Sequence, residues 1–202
     1  MQDDLSQKVK DYIAKATQMA PRHEEQTRKI ASHFKGSIPA IGPIKSHKRA
    51  LEKVEKEYNG DHTRLKDVIR STVVAKDHHQ LKEIAKHMET HKNLITHKEQ
   101  HKHTDPLGYS GHIFHYHYPG GVKGEIQANT PHMIYGKERE NDARAIIGHS
   151  KYEEIKKKTG IEGGHGHAYY EKWRSLPEGH PHLKIHEIAS RAYYDSIRKH
   201  YE

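Results

Sequence analysis

The apolar positions of the chain repeat first with a helical period. Leu5, Val9, Tyr12, Ile13 and Ala16 share one face between Asp4 and Met19, which predicts an amphipathic helix. Pro21 should end that helix or open a second one reaching His33. GSIPAIGP, from Gly36 to Pro43, reads as a punctuated connection. Leu51, Val54 and Tyr58 then mark a helix from about Ser46 to Tyr58, after which NGD turns the chain.

Further along, the period alternates between strand and helix. LKDVIRSTVVA (Leu65 to Ala75) is rich in β-branched residues and predicts a buried strand. Leu81, Ile84, Ala85 and Met88 predict a helix around His78 to His91. NLIT is a short strand and HKEQHKHTDPLG a polar loop. HIFHYHY and KGEIQAN are strands joined by the hairpin signal PGG. Thr130 and Pro131 open a helix as N-cap and first helical residue. Two or three helices finish the chain, the last with Leu183, Ile188, Ala192 and Ile197 on one side. His165 to His182 is rich in His and Gly and reads as a mobile surface loop. Helices alternating with strands, plus one hairpin, predict an α/β or α+β fold with helices covering a sheet.

Composition narrows the chemistry. Only 32% of the 202 residues are hydrophobic, so the core must be economical and the solvated surface large. Lys and Arg give a net charge of +8, which favours polyanions such as nucleotides, nucleic acid or anionic lipid, or simply keeps the protein soluble. The absence of cysteine excludes disulfides, thiolate nucleophiles and cysteine zinc sites. The opening MQDDLSQKVK is too polar for a secretory signal, and no apolar run approaches a membrane span. The expected setting is a cytoplasm, its own or that of a cell into which the protein is delivered.

Four groups of residues carry candidate chemistry. His101/His103, His115/His117, His165/His167 and His180/His182 are pairs that could offer two imidazoles to a metal, but they lie in different contexts and read as surface residues of a His-rich chain. Lys45, Arg49 and Lys53 fall at i, i+4 and i+8, as a helical face ready for a triphosphate or as a solvated face neutralised by nearby glutamates. Asp67 sits at the entry to a buried strand and Glu125 in the middle of another. Two carboxylates on adjacent strands can hold Mg²⁺; otherwise each makes its own salt bridge, for example Asp67 with Arg70. Tyr109, between Gly108 and Gly111, is either an exposed ring for a nucleobase or a tyrosine packed on the sheet.

The order of these signals resembles the synthetase domain of the RelA/SpoT family, particularly its small single-domain synthetases and their toxin relatives. GEIQANTPHMIYGKE fits the family pattern E-[IV]-Q-x-x-T-x-x-M-x-x-x-x-E, placing Glu125, Gln127, Thr130, Met133 and Glu138. PIKSHKRALEKV looks like the basic ATP-binding segment and LKDVIR like the metal-binding strand. The resemblance covers roughly residues 40 to 140. It implies a RelA/SpoT-like nucleotidyltransferase fold in one domain, with an N-terminal helical extension (1–40), a catalytic core (41–148) and C-terminal helices (149–202).

The implied activity is transfer of pyrophosphate from ATP to the 3′ hydroxyl of a purine nucleotide, which makes an alarmone. By the same resemblance Asp67 and Glu125 would bind Mg²⁺ and Glu125 would activate the hydroxyl. Lys45, Arg49, Lys53 and Arg70 would hold the ATP phosphates. Tyr109, Gln127 and Asn129 would line the acceptor side. Two departures fall on that side. Ser110 and Gly111 follow Tyr109 where the family carries an arginine and a serine, and Asn129 stands at a family arginine. The acceptor is therefore left open between guanine and adenine nucleotides. A growth-inhibiting toxin with an immunity partner is a further expectation. The rival readings are the 3′ end of tRNA as acceptor, a non-catalytic nucleotide- or RNA-binding module, and a His-rich metal-binding protein.

Overall fold

A computed structural model describes residues 2–202. Its centre is a five-stranded mixed sheet in the order β1-β2-β5-β4-β3. The strands are β1 (Ile38–Ile41), β2 (Ile69–Val74), β3 (Leu94–Gln100), β4 (Gly111–Tyr118) and β5 (Val122–Asn129). Only β2 and β5 run parallel; β1 pairs antiparallel with β2, and β3, β4 and β5 form an antiparallel meander.

The back of the sheet is closed by three helices, α1 (Gln2–Ser32), α2 (His47–Glu57) and α3 (His78–Glu89). Val9, Ala16, Ile30, Val54, Ile84 and Met88 pack there on Ile69, Val73, Phe114, Tyr116 and Ile126. Five shorter or later helices cover one end of the front: α4 (Pro131–Lys137), α5 (Glu140–Ile147), α6 (His149–Thr159), α7 (His165–Arg174) and α8 (Pro181–Arg198). Their core joins Met133, Tyr135, Tyr152, Tyr194 and Ile197 to Val74 and Tyr109. None of the described helices is long and apolar enough to cross a membrane.

Several local expectations are corrected. Pro21 neither ends nor starts a helix; it lies on the exposed side of the continuous α1. Residues on both sides of it, Ala16 and Ile30 among them, are buried in one core, and this packing outweighs the lost backbone bond. The supposed connection at Gly36–Pro43 contains β1, an edge strand, where Pro39 is tolerated. β3 runs on through HKEQ to Gln100, because pairing with β4 carries polar residues into the sheet. Thr130 holds the N-cap position of α4 without a side-chain cap; its hydroxyl faces His132 instead.

The C-terminal part differs most. Four helices follow α4, and the segment read as a loop is α7 together with the start of α8. On α8 the buried residues are Ser190, Tyr194, Ile197 and Arg198, whereas Ile188 is 60% exposed. Of the expected stripe Ile197 is buried and Leu183 half-buried, but Ile188 and Ala192 are exposed, because polar Ser190 and Arg198 reach inward in their place, to carbonyls of the 102–110 loop.

Candidate active site

The front of β2, β4 and β5 carries the residues that alternate with the core: Arg70, Thr72 and Val74; Ile113 and His115; Glu125, Gln127 and Asn129. The register sets Arg70 and His115 on either side of Glu125. α4 and α8 cover the Val74–Asn129 end, and the Glu125 end lies beyond them.

At the Glu125 end stands a cluster of charges. Beyond β1 the chain stays beside β2, with Gly42 N–H donating to the Arg70 carbonyl and Lys45 N–H to that of Val68. This brings Lys45 to Asp67, and Lys53 reaches the same carboxylate from α2. Both ammonium groups bond Asp67 Oδ2, Lys53 at 2.9 Å. Burial alone would raise the Asp67 pKa, but the two lysines outweigh it and hold the carboxyl below its ordinary range. Asp67 Oδ1 is buried with no hydrogen-bond partner. Glu125 lies within the field of Asp67. Its Oε1 accepts from Gln127 Nε2 at 2.7 Å and its Oε2 faces His115 Nε2 at 3.3 Å. Burial pushes its pKa up, but these two bonds pull it below the usual carboxylate value.

The basic segment is therefore built differently from the expected helical face. α2 begins at His47 after the N-cap Ser46, so Lys45 precedes the helix. Arg49 is exposed on α2 and stands outside the cluster, while half-buried Arg70 stands on β2 next to Glu125. Asp67 pairs with Lys45 and Lys53 rather than Arg70. The cations and the acid expected to act separately form one unit.

At the other end, Tyr109 is buried rather than exposed. Its ring lies 5.6 Å from that of Tyr194, its hydroxyl meets the Asn129 amide, and Lys137 Nζ sits 5.0 Å above it. The surrounding loop is fixed from α8. Arg191 donates to the Lys102, Asp105 and Pro106 carbonyls, and Arg198 to Gly108 O and Ser110 Oγ. Gly108 is needed here: its φ is +75°, and a Cβ would lie 3.0 Å from Arg191 Cα. Asn129 is buried with Tyr109, whereas Gln127 stays partly open and accepts from Lys137 Nζ at 3.3 Å.

Composition hid two members of the site. Lys137 carried no signal beyond its place next to Glu138. His115 was grouped with the surface histidines. Counting back from the hairpin, where Tyr118 pairs with Val122, puts it opposite Glu125. Among the described residues no group of three or more His, Cys, Asp or Glu is placed to hold a metal ion.

No protein-family model matches the chain. It is 39% identical over 164 residues to the (p)ppApp synthetase toxin Tas1 of Pseudomonas aeruginosa (strain UCBPP-PA14), a match covering 81% of this chain and 37% of that protein. The chain thus spans little more than a third of the curated relative it matches. In the crystal structure of the complex between the type VI effector Tas1 and its immunity protein, the matching chain superposes with a TM-score of 0.87 at 35% identity, over 95% of this chain and 96% of that one. The chain belongs to the RelA/SpoT-like synthetase family. The fold is also that of small alarmone synthetase 1 from Bacillus subtilis, solved with its product pppGpp, at a TM-score of 0.54, 13% identity and coverage of 96% and 95%. In RelA/SpoT terms, the sheet front with Asp67 and Glu125 is the candidate catalytic face.

Proposed function

We propose that the chain is an ATP-dependent pyrophosphokinase whose acceptor is the 3′ hydroxyl of an adenine nucleotide, giving products of the (p)ppApp type. The observation that carries this reading is the charge cluster: two lysines already gathered on one oxygen of Asp67, the other oxygen without a partner, and Glu125 within electrostatic reach of that carboxylate. The adenine preference rests on the likeness to Tas1.

The donor set fits Mg²⁺, which needs one or two carboxylates and takes its remaining ligands from water and phosphate. Asp67 Oδ1 and Glu125 would hold it, and it would supply charge neutralisation along the ATP phosphates. Lys45, Lys53 and Arg70 would bind those phosphates, with exposed Arg49 at the margin. The acceptor oxygen bonds to the β-phosphorus while the bond from that phosphorus to the oxygen bridging to the α-phosphorus breaks. Its electron pair leaves on AMP, and Glu125 takes the hydroxyl proton. Such transfer depends mostly on positioning and on charges set in advance. Gln127 and Lys137 would face the acceptor, with the Tyr109–Asn129 pair forming the wall behind them. By the same likeness the protein acts as a growth-inhibiting effector in the cytoplasm of a target cell and is neutralised by an immunity protein.

The test is incubation with γ-labelled ATP, Mg²⁺ and, separately, AMP, ADP, ATP, GDP, GTP and tRNA, followed by separation of products. The expected result is label on an adenine nucleotide with one AMP released per transfer. Transfer to guanine nucleotides or tRNA alone would overturn the acceptor assignment, and a folded protein that labels nothing would overturn the enzyme itself.

A further inference from the structure

Glu125 is the midpoint of a row of polar contacts that crosses three adjacent strands. Thr96 on β3, His115 on β4 and Glu125 on β5 are successive register partners. Thr96 Oγ1 lies 2.8 Å from His115 Nδ1, and His115 Nε2 lies 3.3 Å from Glu125 Oε2. The imidazole and the carboxylate are 17% and 14% exposed. On the other side Lys137 Nζ donates to Gln127 Oε1, which turns the Gln127 amide so that its Nε2 donates to Glu125 Oε1.

The backbone is shaped for this row. β3 shifts register between Leu94, opposite Tyr116, and Thr96, opposite His115. Regular pairing would set Ile95 opposite His115. The bulge leaves Ile95 40% exposed and brings a hydroxyl to the imidazole instead. An ionised carboxylate only accepts, so the nitrogen facing it carries hydrogen, and Nδ1 is left to the Thr96 hydroxyl.

We propose that His115, oriented by Thr96, is a positioning residue for the reaction. Its Nε2–H fixes the plane of the Glu125 carboxylate and keeps it an acceptor for the incoming hydroxyl. The role rests on the pyrophosphokinase reading, whereas the row of polar contacts does not. Donors from His115 and Gln127 take one lone pair on each oxygen, and the remaining lone pairs are aimed in set directions. Loss of that orientation acts on the transfer step and leaves nucleotide binding alone.

The test compares His115→Leu, His115→Gln and Thr96→Val with the native protein. His115→Leu should lower kcat about 10- to 100-fold, the usual cost of losing an orienting partner, with KM for both nucleotides unchanged. His115→Gln, whose amide nitrogen reaches the same point, should recover most of the rate, and Thr96→Val should lose only several-fold. Native kcat in His115→Leu, or equal loss in His115→Gln and His115→Leu at an unchanged melting temperature, would overturn the role. Nitrogen-15 spectra of the metal-free protein read the row without any turnover. The His115 signal, assigned by its absence in His115→Gln, should show hydrogen on Nε2. A bare Nε2 overturns the inference even if native transfer is normal, and if the native protein transfers nothing, this spectrum alone decides the row.

Discussion

The two faces of one sheet, made by alternate residues of the same strands, have been put to opposite uses. On the back of β2, β4 and β5, Ile69, Val73, Phe114, Tyr116 and Ile126 lie under α1–α3. Polar groups there are few and fully occupied: His23 bonds Tyr118 and Ser71, and Ser71 also meets Thr27. On the front, Glu125, Gln127, His115 and Arg70 occupy the intervening positions, and one oxygen of nearby Asp67 is left over. Stability is built on the back and unsatisfied polarity is kept on the front. A buried polar group without a partner is costly, so one retained next to paired charges points to a missing ligand.

The largest effect should come from the middle of the front. Glu125→Gln should lower transfer about 10³-fold, the scale of a lost general base. The amide oxygen can still accept from one neighbour while its NH2 faces the other donor, so urea unfolding should show a loss no larger than that of one hydrogen bond, ~1 kcal/mol. Near-native turnover would remove Glu125 from its proposed role, and a large fall in stability would blur the division between the faces.

The converse change belongs to the back. His23 is buried against Tyr118, and burial pushes its pKa down from 6.5 to about 4. The folded state therefore resists the proton that the unfolded chain accepts. The stability it protects is complete above pH 6.5 and is lost as pH falls to about 4, which amounts to about 3 kcal/mol. Urea unfolding at pH 7, 5.5 and 4 should show the loss, and His23→Gln should flatten that slope while leaving transfer at pH 7.5 close to native. An unchanged slope in the variant would place the acid sensitivity among other groups.

This division also explains what could be read in advance. The back was visible as period: Leu81, Ile84 and Met88 at helical spacing, and Phe114 and Tyr116 at strand spacing, are buried as the pattern requires. On the front, Glu125, Asp67, Lys45 and Lys53 were visible as types in a family order, but the lysines not as partners of Asp67. That pairing depends on Lys45 leaving β1 beside β2, a path that propensity does not encode. The covering of Tyr109 was invisible for a similar reason. It comes from Tyr194, Arg191 and Arg198, more than eighty residues away, on a helix whose expected stripe is buried at Ile197 but exposed at Ile188 and Ala192.

A smaller effect is therefore expected at this distant support. Arg198 is buried, pairs with Asp195, and donates to Gly108 O and Ser110 Oγ. Arg198→Met keeps the packing of its stem and removes these bonds. It should cost about 2 kcal/mol, the scale of one hydrogen bond to a charged group, and should raise KM for the acceptor more than KM for ATP. Equal changes in both constants would mean that α8 supports the whole face and not its acceptor end.

The smallest change isolates one contact of that end. Tyr109→Phe leaves the ring between Tyr194 and Lys137 and removes only the hydroxyl that meets Asn129. The Asn129 carbonyl oxygen keeps its bond from Thr130 N–H, so the side chain remains oriented while its amide loses one acceptor. The cost should be about 1 kcal/mol in stability, with acceptor KM rising several-fold and kcat nearly unchanged. If the hydroxyl served the reacting oxygen instead, kcat would fall and acceptor KM would stay. In that case Tyr109 would share the work assigned to Glu125, and the wall behind the acceptor would be part of the chemistry.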